Sequence, residues 1–404
     1  MEGRNLRNSK NFDFKVIHFS TGHTGGAGLA ARRLNWELNN SGISSSFYAL
    51  DSSEYIPTEK ENIISRNISS KLSGAISTLI SSFISNKSFF SLFSMNALPE
   101  DLVLKIAEPK DTILHFHNWF NLSNQREILN LASRGFPIVI TMHDQRFMTG
   151  GCHYAFSCLG LNTGCKKCPS IPSFIDWIPG VSSRLIAKKL ATKKGNIAFI
   201  APSKWILDEA KGSLLLSEQK IYFITNTLGN FLSVDTLVPI NAQYKTNLVL
   251  GIASMDTKSY IKGGDIASKL AMVAKKKGLP IEFLLMKDVV TGENLFNDFW
   301  RKIDYLFVPS RADNSPNVIH EAKKLGIPVI ATKIGGITEL LTEGFDLGIE
   351  IEDLNVDHII KLLTKVKDYE NNENGRGKMR DNFSNYTSDS LLKHIELYES
   401  LIEL

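Results

Sequence analysis

Two acidic residues flank a strong predicted helix start in the segment 305–341. Asp313 and Glu321 have seven residues between them, and Ser315-Pro316 lies inside that interval. A serine can cap free backbone amides at a helix N-terminus, and proline suits the first helical position, where no N–H is needed. A helix that begins directly after a strand can bind a phosphate. Glu321 would lie about 9 Å along this helix, at about 1.5 Å per residue, where its carboxylate could accept hydrogen bonds from ribose hydroxyls.

The pattern around this helix is that of a strand–helix–strand unit. Tyr305–Pro309 is the predicted first strand, Gly326 is predicted to end the helix, and Pro328–Thr332 is the predicted second strand. An ordinary unit of a parallel sheet, whose capped helix binds nothing, would show the same pattern. The functional interpretation therefore depends on other parts of the chain.

Histidines follow two further predicted strands. Asp111–His117 ends in His117, and Phe136–Thr141 is followed closely by His143 and Asp144. Ligands of open parallel sheets bind outside the carboxyl ends of the strands, so both ends would deliver an imidazole to one cleft. A single histidine after a strand is usually structural, but two such strand ends favour a functional site.

Glycines and lysines follow the first predicted strand of each half of the chain. Lys15–Ser20 leads into the glycine-rich stretch Thr21–Gly28, with a helix predicted from Leu29. Such a turn allows a ligand to approach the backbone, although it can also serve tight packing alone. After the predicted strand Thr246–Ala253, Lys258 and Lys262 precede a glycine pair. Cations at this place could neutralise a leaving diphosphate, or they could be solvated surface lysines.

All four cysteines of the chain fall within 17 residues. They are Cys152, Cys158, Cys165 and Cys168, and the last two have the two-residue spacing with which adjacent thiolates hold one tetrahedral ion. In a reducing cytosol a structural Zn²⁺ is favoured over disulfides, so it is the prediction here. Free thiols and disulfides are the alternatives. A closed four-cysteine site would stabilise an excursion of the chain and would not catalyse a reaction.

The composition is that of a globular protein of two or three domains. The chain has 404 residues, of which 43% are hydrophobic and 22% charged, and its formal charge is +4. This weak charge without an arginine-rich run does not suggest nucleic acid as a partner. The sequence has neither a long apolar span nor a signal-peptide pattern, so a cytoplasmic location is expected. The amphipathic stretch Ile63–Phe93 could lie on a membrane surface or pack on its own domain.

Four runs of sequence resemble a known family. They are HFHN, PIVITMHDQRFMTGGCHY, GCKKCP and DNSPNVIHEAKKLGIPVIATKIGG. Together they resemble glycosyltransferase family 4, retaining enzymes of the GT-B fold, and in particular the subgroup that builds bacterial capsule, exopolysaccharide and O-antigen chains. The resemblance extends over nearly the whole chain.

The resemblance implies roles for individual residues. Asp313 would lie near the transferred sugar, although the family usually has a glutamate there, and Lys262 would belong to a basic pair at the diphosphate. His143 would contact the donor sugar, with His117 and Asp144 in support. The remaining donor-binding residues that it implies are Gly25, Gly26, Lys258, Asn314, Ser315, Pro316, Asn317, Val318, Glu321, Gly335 and Gly336.

The implied architecture is α/β, with two Rossmann-like domains that face a central cleft. We expect an N-terminal acceptor-side domain over residues 1–235 that includes the excursion 152–168, and a C-terminal donor-binding domain over 240–385. The final segment, 386–404, is expected to form a helix that crosses back to the first domain. A linker is predicted in the region 232–245.

The implied activity is that of a retaining, hexosyltransferase-type glycosyltransferase. It would transfer a sugar from a nucleotide-sugar to a hydroxyl of a growing, lipid-linked glycan, with possible peripheral membrane contact. The sequence shows no aspartate-x-aspartate metal motif, so we predict transfer without a divalent ion. Two alternatives are an epimerase or phosphorylase of the same architecture and a non-catalytic nucleotide-sugar-binding scaffold.

Overall fold

The computed structural model divides the chain into two compact units. The first unit is Met1–Asn230 with Asp389–Leu404, and the second is Phe231–Ser388. The structure describes residues 12–50, 57–65, 98–191, 196–229, 247–253, 259–286, 299–355, 357–359, 361, 383 and 389–403. Lys258, the predicted linker and nearly all of the amphipathic stretch Ile63–Phe93 lie outside these residues.

The first unit contains a parallel sheet that carries most of its core. Its described strands are β1 (Lys15–Ser20), β2 (Ser44–Leu50), β3 (Glu61–Ile64), β4 (Thr112–Phe116), β5 (Ile138–Thr141), β6 (Ile197–Ala201) and β7 (Ile221–Phe223). They lie in the order β3-β2-β1-β4-β5-β6-β7. The central strands β4, β5 and β6 are buried along their whole length, as their continuous apolar runs predict for strands covered on both faces.

Helices cover this sheet, and the last of them comes from the end of the chain. The described helices are α1 (Gly25–Asn40), α2 (Glu100–Ile106), α3 (Gln125–Ser133), α4 (Gly160–Thr163), α5 (Ile178–Ala191), α6 (Lys204–Gly212) and α9 (Ser390–Ile402). Ile395, Tyr398 and Leu401 of α9 pack into one core cluster with Val16 of β1 and Ile113 of β4. The C-terminal helix is thus part of the first unit.

The second unit is a smaller parallel sheet with the same kind of connections. Its described strands are β8 (Leu248–Ile252), β9 (Ile281–Leu285), β10 (Tyr305–Val308), β11 (Val329–Thr332) and β12 (Leu347–Ile349), in the order β12-β11-β10-β8-β9. Helices α7 (Gly264–Lys276) and α8 (Asn317–Lys324) follow β8 and β10, and a 3₁₀ helix at Gly335–Leu340 follows β11. Both units are therefore Rossmann-like α/β domains, which confirms the predicted fold class.

The predicted strands are observed, but two helix starts were predicted wrongly. Helix α1 begins at Gly25 instead of Leu29, because the backbone is extended only as far as Thr24. Helix α8 begins at Asn317, with Pro316 before it as an extended N-cap. The hydroxyl of Ser315 is hydrogen-bonded to Nε2 of His320 at 2.8 Å. The predicted end at Gly326 is correct, and its φ of +70° is the left-handed value that favours glycine.

A buried ion pair fixes α8 to the sheet. Lys323 and Asp346 form a salt bridge with side-chain exposures of 1% and 0%. Asp346 also accepts a hydrogen bond from the backbone N–H of Val329, at the start of β11, at 2.8 Å. Burial lowers the pKa of Lys323 to about 7. Because an unpaired buried charge is costly, this pair holds the helix in one position beside the strand that follows it.

We predict that Gly263→Ala destabilises the second unit far more than Gly278→Ala. Both glycines have left-handed φ values, +68° and +62°, which cost other residues about 1–2 kcal/mol. A Cβ at Gly263 would also lie 1.9 Å from the carbonyl oxygen of Pro309, whereas at Gly278 it would meet no described atom within 4 Å. Urea denaturation of the two variants measures the difference, and equal losses would contradict this account of the turn.

Candidate functional site

The strand order reverses between β1 and β4 in the first unit and between β8 and β10 in the second. Crevices form at such points, because the connections from the two strands diverge to opposite sides. The residues predicted from the sequence fall at the carboxyl ends of these strands in both units. The two places are described separately below.

Gly25 and Gly26 are exposed at the start of α1, after β1. A Cβ added to either glycine would meet no described atom within 4 Å. The glycine needed for packing is Gly28, where a Cβ would lie 2.2 Å from the carbonyl oxygen of Gly22. Packing therefore explains Gly28, whereas Gly25 and Gly26 leave an open, accessible stretch of backbone.

Three histidines form a hydrogen-bonded row that begins on β1. Nδ1 of His18, on β1, lies 3.1 Å from Nε2 of His117. Nδ1 of His117 lies 3.2 Å from Nε2 of His143, which is the last and partly exposed histidine of this row. The structure thus brings together His117 and His143, as predicted. His18 was missed, because a histidine inside an apolar strand gives no sequence signal of its own.

The hydrogen bonds along this row of histidines couple the tautomers of the three rings. Nε2 of His18 is buried and has no hydrogen-bond partner among the described residues. A buried acceptor without a partner is less unfavourable than a buried N–H without one, so Nδ1 of His18 is the favoured position of its proton. Nδ1–H of His18 then donates to His117, and Nδ1–H of His117 donates to His143. His143 consequently carries its proton on Nδ1.

A fourth and a fifth histidine extend this cluster beneath α9. His115 is paired in register with His18, and its ring bonds Tyr398 at 2.8 Å and Thr141 at 2.7 Å. His394 of α9 is hydrogen-bonded to the carbonyl of Ser390 at 2.8 Å. Burial lowers the pKa of His18 to about 3 and the pKa values of His143 and His394 to about 4. It also holds the pKa values of His115 and His117 well below 6.5, so all five rings are neutral at pH 7.

The ligand atoms of His18, His115 and His117 lie within 4.8 Å of one another, close enough for a metal ion. Both ring nitrogens of His115 and those of His117 already have hydrogen-bond partners. The arrangement is thus explained as a hydrogen-bonded network of neutral rings without an ion.

Asp144 and Arg146 form the rim beside His143. Asp144 accepts a hydrogen bond from the backbone N–H of Arg146 at 2.8 Å and forms a salt bridge with its guanidinium at 3.2 Å. That guanidinium lies 4.4 Å from the ring centroid of Phe120. Asp144 therefore acts on His143 through its charge, which opposes the lowering of the His143 pKa by burial. Arg146 is a buried cation that the sequence prediction missed, although it lies in the run TMHDQR.

The cysteine excursion follows directly, and none of its four cysteines forms a disulfide. Cys165 accepts a hydrogen bond from the N–H of Gly150 at 3.3 Å, and Cys158 accepts one from Gly160 at 3.4 Å. A Cβ at Gly160 would lie 3.2 Å and 3.4 Å from the sulfurs of Cys158 and Cys165. Burial raises the pKa values of the Cys165 and Cys168 thiols. The sulfurs do not form a group of three within 4.8 Å in the described part of the chain.

Asp313 is the centre of the site in the second unit. Its Oδ2 lies 2.5 Å from Nζ of Lys262, and its Oδ1 accepts the N–H of Asn314 at 3.0 Å. Its carbonyl accepts the N–H of Gly336 at 3.1 Å. Asp313 is buried, whereas the Lys262 side chain is 43% exposed. The structure therefore brings together Lys262, Asp313 and Gly336, which the family resemblance assigns to one donor site.

The start of α8 lies beside this junction. Asn317 and Glu321 are buried on the helix, with Glu321 one turn beyond Asn317. The helix dipole and the amide direction of the first turn make this end favourable for an anion. Arg311 is a further cation near Lys262 that was missed. It pairs with Asp265 at 2.6 Å and lies 3.9 Å from the ring centroid of Tyr260.

We predict that the first unit loses stability as pH falls from about 6.5 to about 4. The pKa values of the five buried histidines are lowered in the folded state, so the unfolded chain binds more protons in this range and low pH favours unfolding. Each histidine that takes up a proton contributes about 1.4 kcal/mol per pH unit to the slope.

Urea denaturation of the intact chain at several pH values measures this slope. His394→Gln should reduce it by about one proton, and His358→Gln, outside the cluster in the second unit, should leave it unchanged. A free energy of unfolding that stays constant over this range would contradict the neutral cluster.

Comparisons with known proteins agree with this geometry. Residues 248–366 match the family model of glycosyl transferases group 1. A putative colanic acid biosynthesis glycosyl transferase, WcaC of Escherichia coli K12, is 25% identical over an alignment of 256 positions, and the match covers 57% of this chain and 62% of that relative. No described helix has the length and apolar character needed to cross a membrane.

Solved structures resemble the whole chain. Sucrose-phosphate synthase from Thermosynechococcus elongatus superposes with a TM-score of 0.62 at 13% identity, over 96% of this chain and 99% of that one. Anabaena HepE in complex with UDP superposes with a TM-score of 0.57 at 15% identity, over 97% and 100%. The chain therefore has the GT-B fold, and these matches support a glycosyltransferase whose second unit contains a group 1 glycosyl transferase domain.

Proposed function

We propose that this chain is a retaining glycosyltransferase of family 4. It transfers a sugar from a nucleotide-sugar donor to a hydroxyl of a growing, lipid-linked bacterial surface glycan. The observation that carries the proposal is the junction of Lys262, Asp313 and the start of α8 at the carboxyl ends of β8 and β10. A relative with a colanic acid biosynthesis name supports the glycan class of the acceptor.

The donor diphosphate would bind at the start of α8 and the glycine loop. Within the stretch Asn314 to Val318, N–H groups other than that of Asn314, which donates to Asp313, would face the donor, and the glycine loop at Gly335 and Gly336 would line the site with little steric hindrance. Pro316 itself offers no N–H and instead sets the extended entry to α8. Glu321 would hold the ribose hydroxyls. Because HepE structures are named as complexes with UDP and UDP-glucose, a uridine diphosphate sugar is the first donor to test.

Catalysis would depend on electrostatics around the leaving diphosphate. The bond from the anomeric carbon to the phosphate oxygen breaks, and the acceptor oxygen bonds to that carbon on the same face. The proton of the acceptor hydroxyl passes to the leaving phosphate. Lys262, which is exposed enough to reach a ligand, would neutralise the growing charge. Asp313 holds this ammonium in position, and the Nδ1–H of His143 would donate to the donor sugar.

We predict that Glu321→Gln weakens binding of the cognate nucleoside diphosphate about 10- to 100-fold, the equivalent of about 1.5–3 kcal/mol for hydrogen bonds to a charged group. Titration calorimetry with UDP, ADP and GDP measures the affinity. Glu352→Gln, on the surface of the same unit, is the matched control. Full affinity in the Glu321 variant would reject the assignment to ribose, and a wild-type chain that binds none of the nucleotides would reject the donor site.

Turnover distinguishes the proposed transfer from the alternatives. A glycosyltransferase releases nucleoside diphosphate in proportion to an added glycan acceptor. An epimerase or phosphorylase of the same fold would act without a second sugar acceptor, and a scaffold would bind the donor without releasing product. Anomeric NMR of the isolated product would then show whether the configuration is retained.

We also propose that the four cysteines hold one structural zinc ion. The N–H groups donated to the sulfurs of Cys158 and Cys165 and the absence of disulfides suit a thiolate site. Cys152 and Cys168, packed in one small cluster, would supply the other two ligands. Zinc would stabilise the excursion and would take no part in the transfer.

Metal analysis of the purified chain should find about one zinc per chain, and Cys165→Ser should lose it with a lower melting temperature, since a structural zinc contributes folding free energy. Ser157→Ala, on the exposed surface of the same loop, should keep the zinc. Metal-free protein of unchanged melting temperature would show that the cysteines are free thiols.

A further inference from the structure

The cysteine excursion, helix α5 and the segment between them expose several large apolar side chains. Phe174 is 76% exposed, Leu159 75%, Leu185 60% and Trp177 54%. We call these four residues, together with the exposed basic residues Lys166, Lys167, Arg184 and Lys188, the excursion surface. Single exposed apolar residues are ordinary, but several on one short segment of a soluble unit indicate contact with another body.

The exposed residues of α5 form one face of the helix. Arg184, Leu185 and Lys188 are exposed, whereas Ser183, Ile186 and Leu190 are buried against the unit. Trp177 immediately precedes the helix, about two turns before Arg184. Its indole N–H donates to the carbonyl of Phe174 at 3.2 Å, so the polar atom of the ring is satisfied while the ring itself stays exposed.

A loop with two lysines, Lys166 and Lys167, lies directly against helix α5. A Cβ at Gly180 would be 2.8 Å from Cα of Lys166, so the loop of Lys166 and Lys167 packs on the first turn of α5. Both lysines are exposed. The excursion surface therefore combines the basic loop with the exposed face of α5.

The charge of the chain is concentrated in this segment. Residues 152–191 contain five basic side chains and one acidic side chain, which gives a formal charge of +4 with neutral histidines. This equals the formal charge of the whole chain, so the other residues balance to zero. An aromatic and apolar surface with an excess of lysine and arginine is complementary to the interface of an anionic bilayer.

We propose that the excursion surface docks the chain on anionic phospholipid. The rings of Phe174 and Trp177 and the side chains of Leu159 and Leu185 would enter the headgroup region, and the lysines and Arg184 would contact phosphates. The residues of this surface are different from those proposed to bind the donor. Docking would hold the first unit at the surface where a lipid-linked acceptor is found, and for that role it rests on the proposed function.

Vesicle sedimentation of the full-length chain tests the proposal. We expect binding to vesicles of phosphatidylcholine with phosphatidylglycerol, little binding to phosphatidylcholine alone, and release at about 0.5 M NaCl, where charges are screened over a few ångströms. Lys166→Glu with Lys167→Glu should weaken binding about tenfold or more. Phe174→Ser with Trp177→Ser should weaken it to a similar degree.

Two matched controls separate this surface from general effects. Lys275→Glu with Lys276→Glu changes an exposed basic pair on α7 of the second unit, and Trp36→Ser removes an exposed tryptophan from α1. Both should bind vesicles like the wild type, and all variants should keep the wild-type melting temperature and nucleotide affinity.

Three outcomes would overturn the proposal. They are a wild-type chain that does not bind anionic vesicles at low salt, excursion variants that bind as tightly as wild type, and controls that lose as much binding as the excursion variants. If the wild type instead forms a dimer that the Phe174 and Trp177 changes dissociate, and vesicles do not bind, the surface is a self-association interface. Nucleotide affinity distinguishes these failures from a failure of the proposed function.

Discussion

The site of the second unit depends on one buried carboxylate. Asp313 has little exposed surface, and a charge in that position must be compensated inside the protein. Lys262 supplies the counter-charge from the loop before α7, and the N–H of Asn314 supplies a hydrogen bond from the loop before α8. The N–H of Gly336 binds the carbonyl of the same residue. Separation of these loops would leave a charge or a backbone group unpaired, so they form one preorganised set around the start of α8.

The histidine cluster of the first unit meets the opposite requirement, because its five rings are kept neutral. His18, His117 and His143 bond to one another in a row, so each ring fixes the proton position of the next. Neutral rings can pack closely where several imidazolium ions would repel one another. The carboxyl ends of β4 and β5 therefore carry oriented N–H dipoles beside Arg146, whose charge is balanced by Asp144. Fixed dipoles and balanced charges need little reorganisation when a ligand with a developing charge binds.

The excursion shows how a short insertion can add a surface without disturbing a sheet. Glycines at positions 150 and 180 allow the loop to pack tightly against α5, with contacts that a Cβ would prevent. The glycines of the segment form this packing contact, and its large apolar and basic side chains face outwards. The carboxyl ends of the strands and the excursion surface are therefore built from separate residues of the same unit.

The sequence by itself determined the elements whose signals are local. Apolar runs marked the strands, and Gly326 marked the end of α8. The motif residues at the strand ends also followed, because strand direction decides where those ends lie. Only the tertiary structure decided the partners of side chains. His115 meets Tyr398 from 283 positions away, and His18 meets His117 from 99. Periodicity and backbone preference act over a few residues, while these contacts depend on which distant element packs against each face of the sheet.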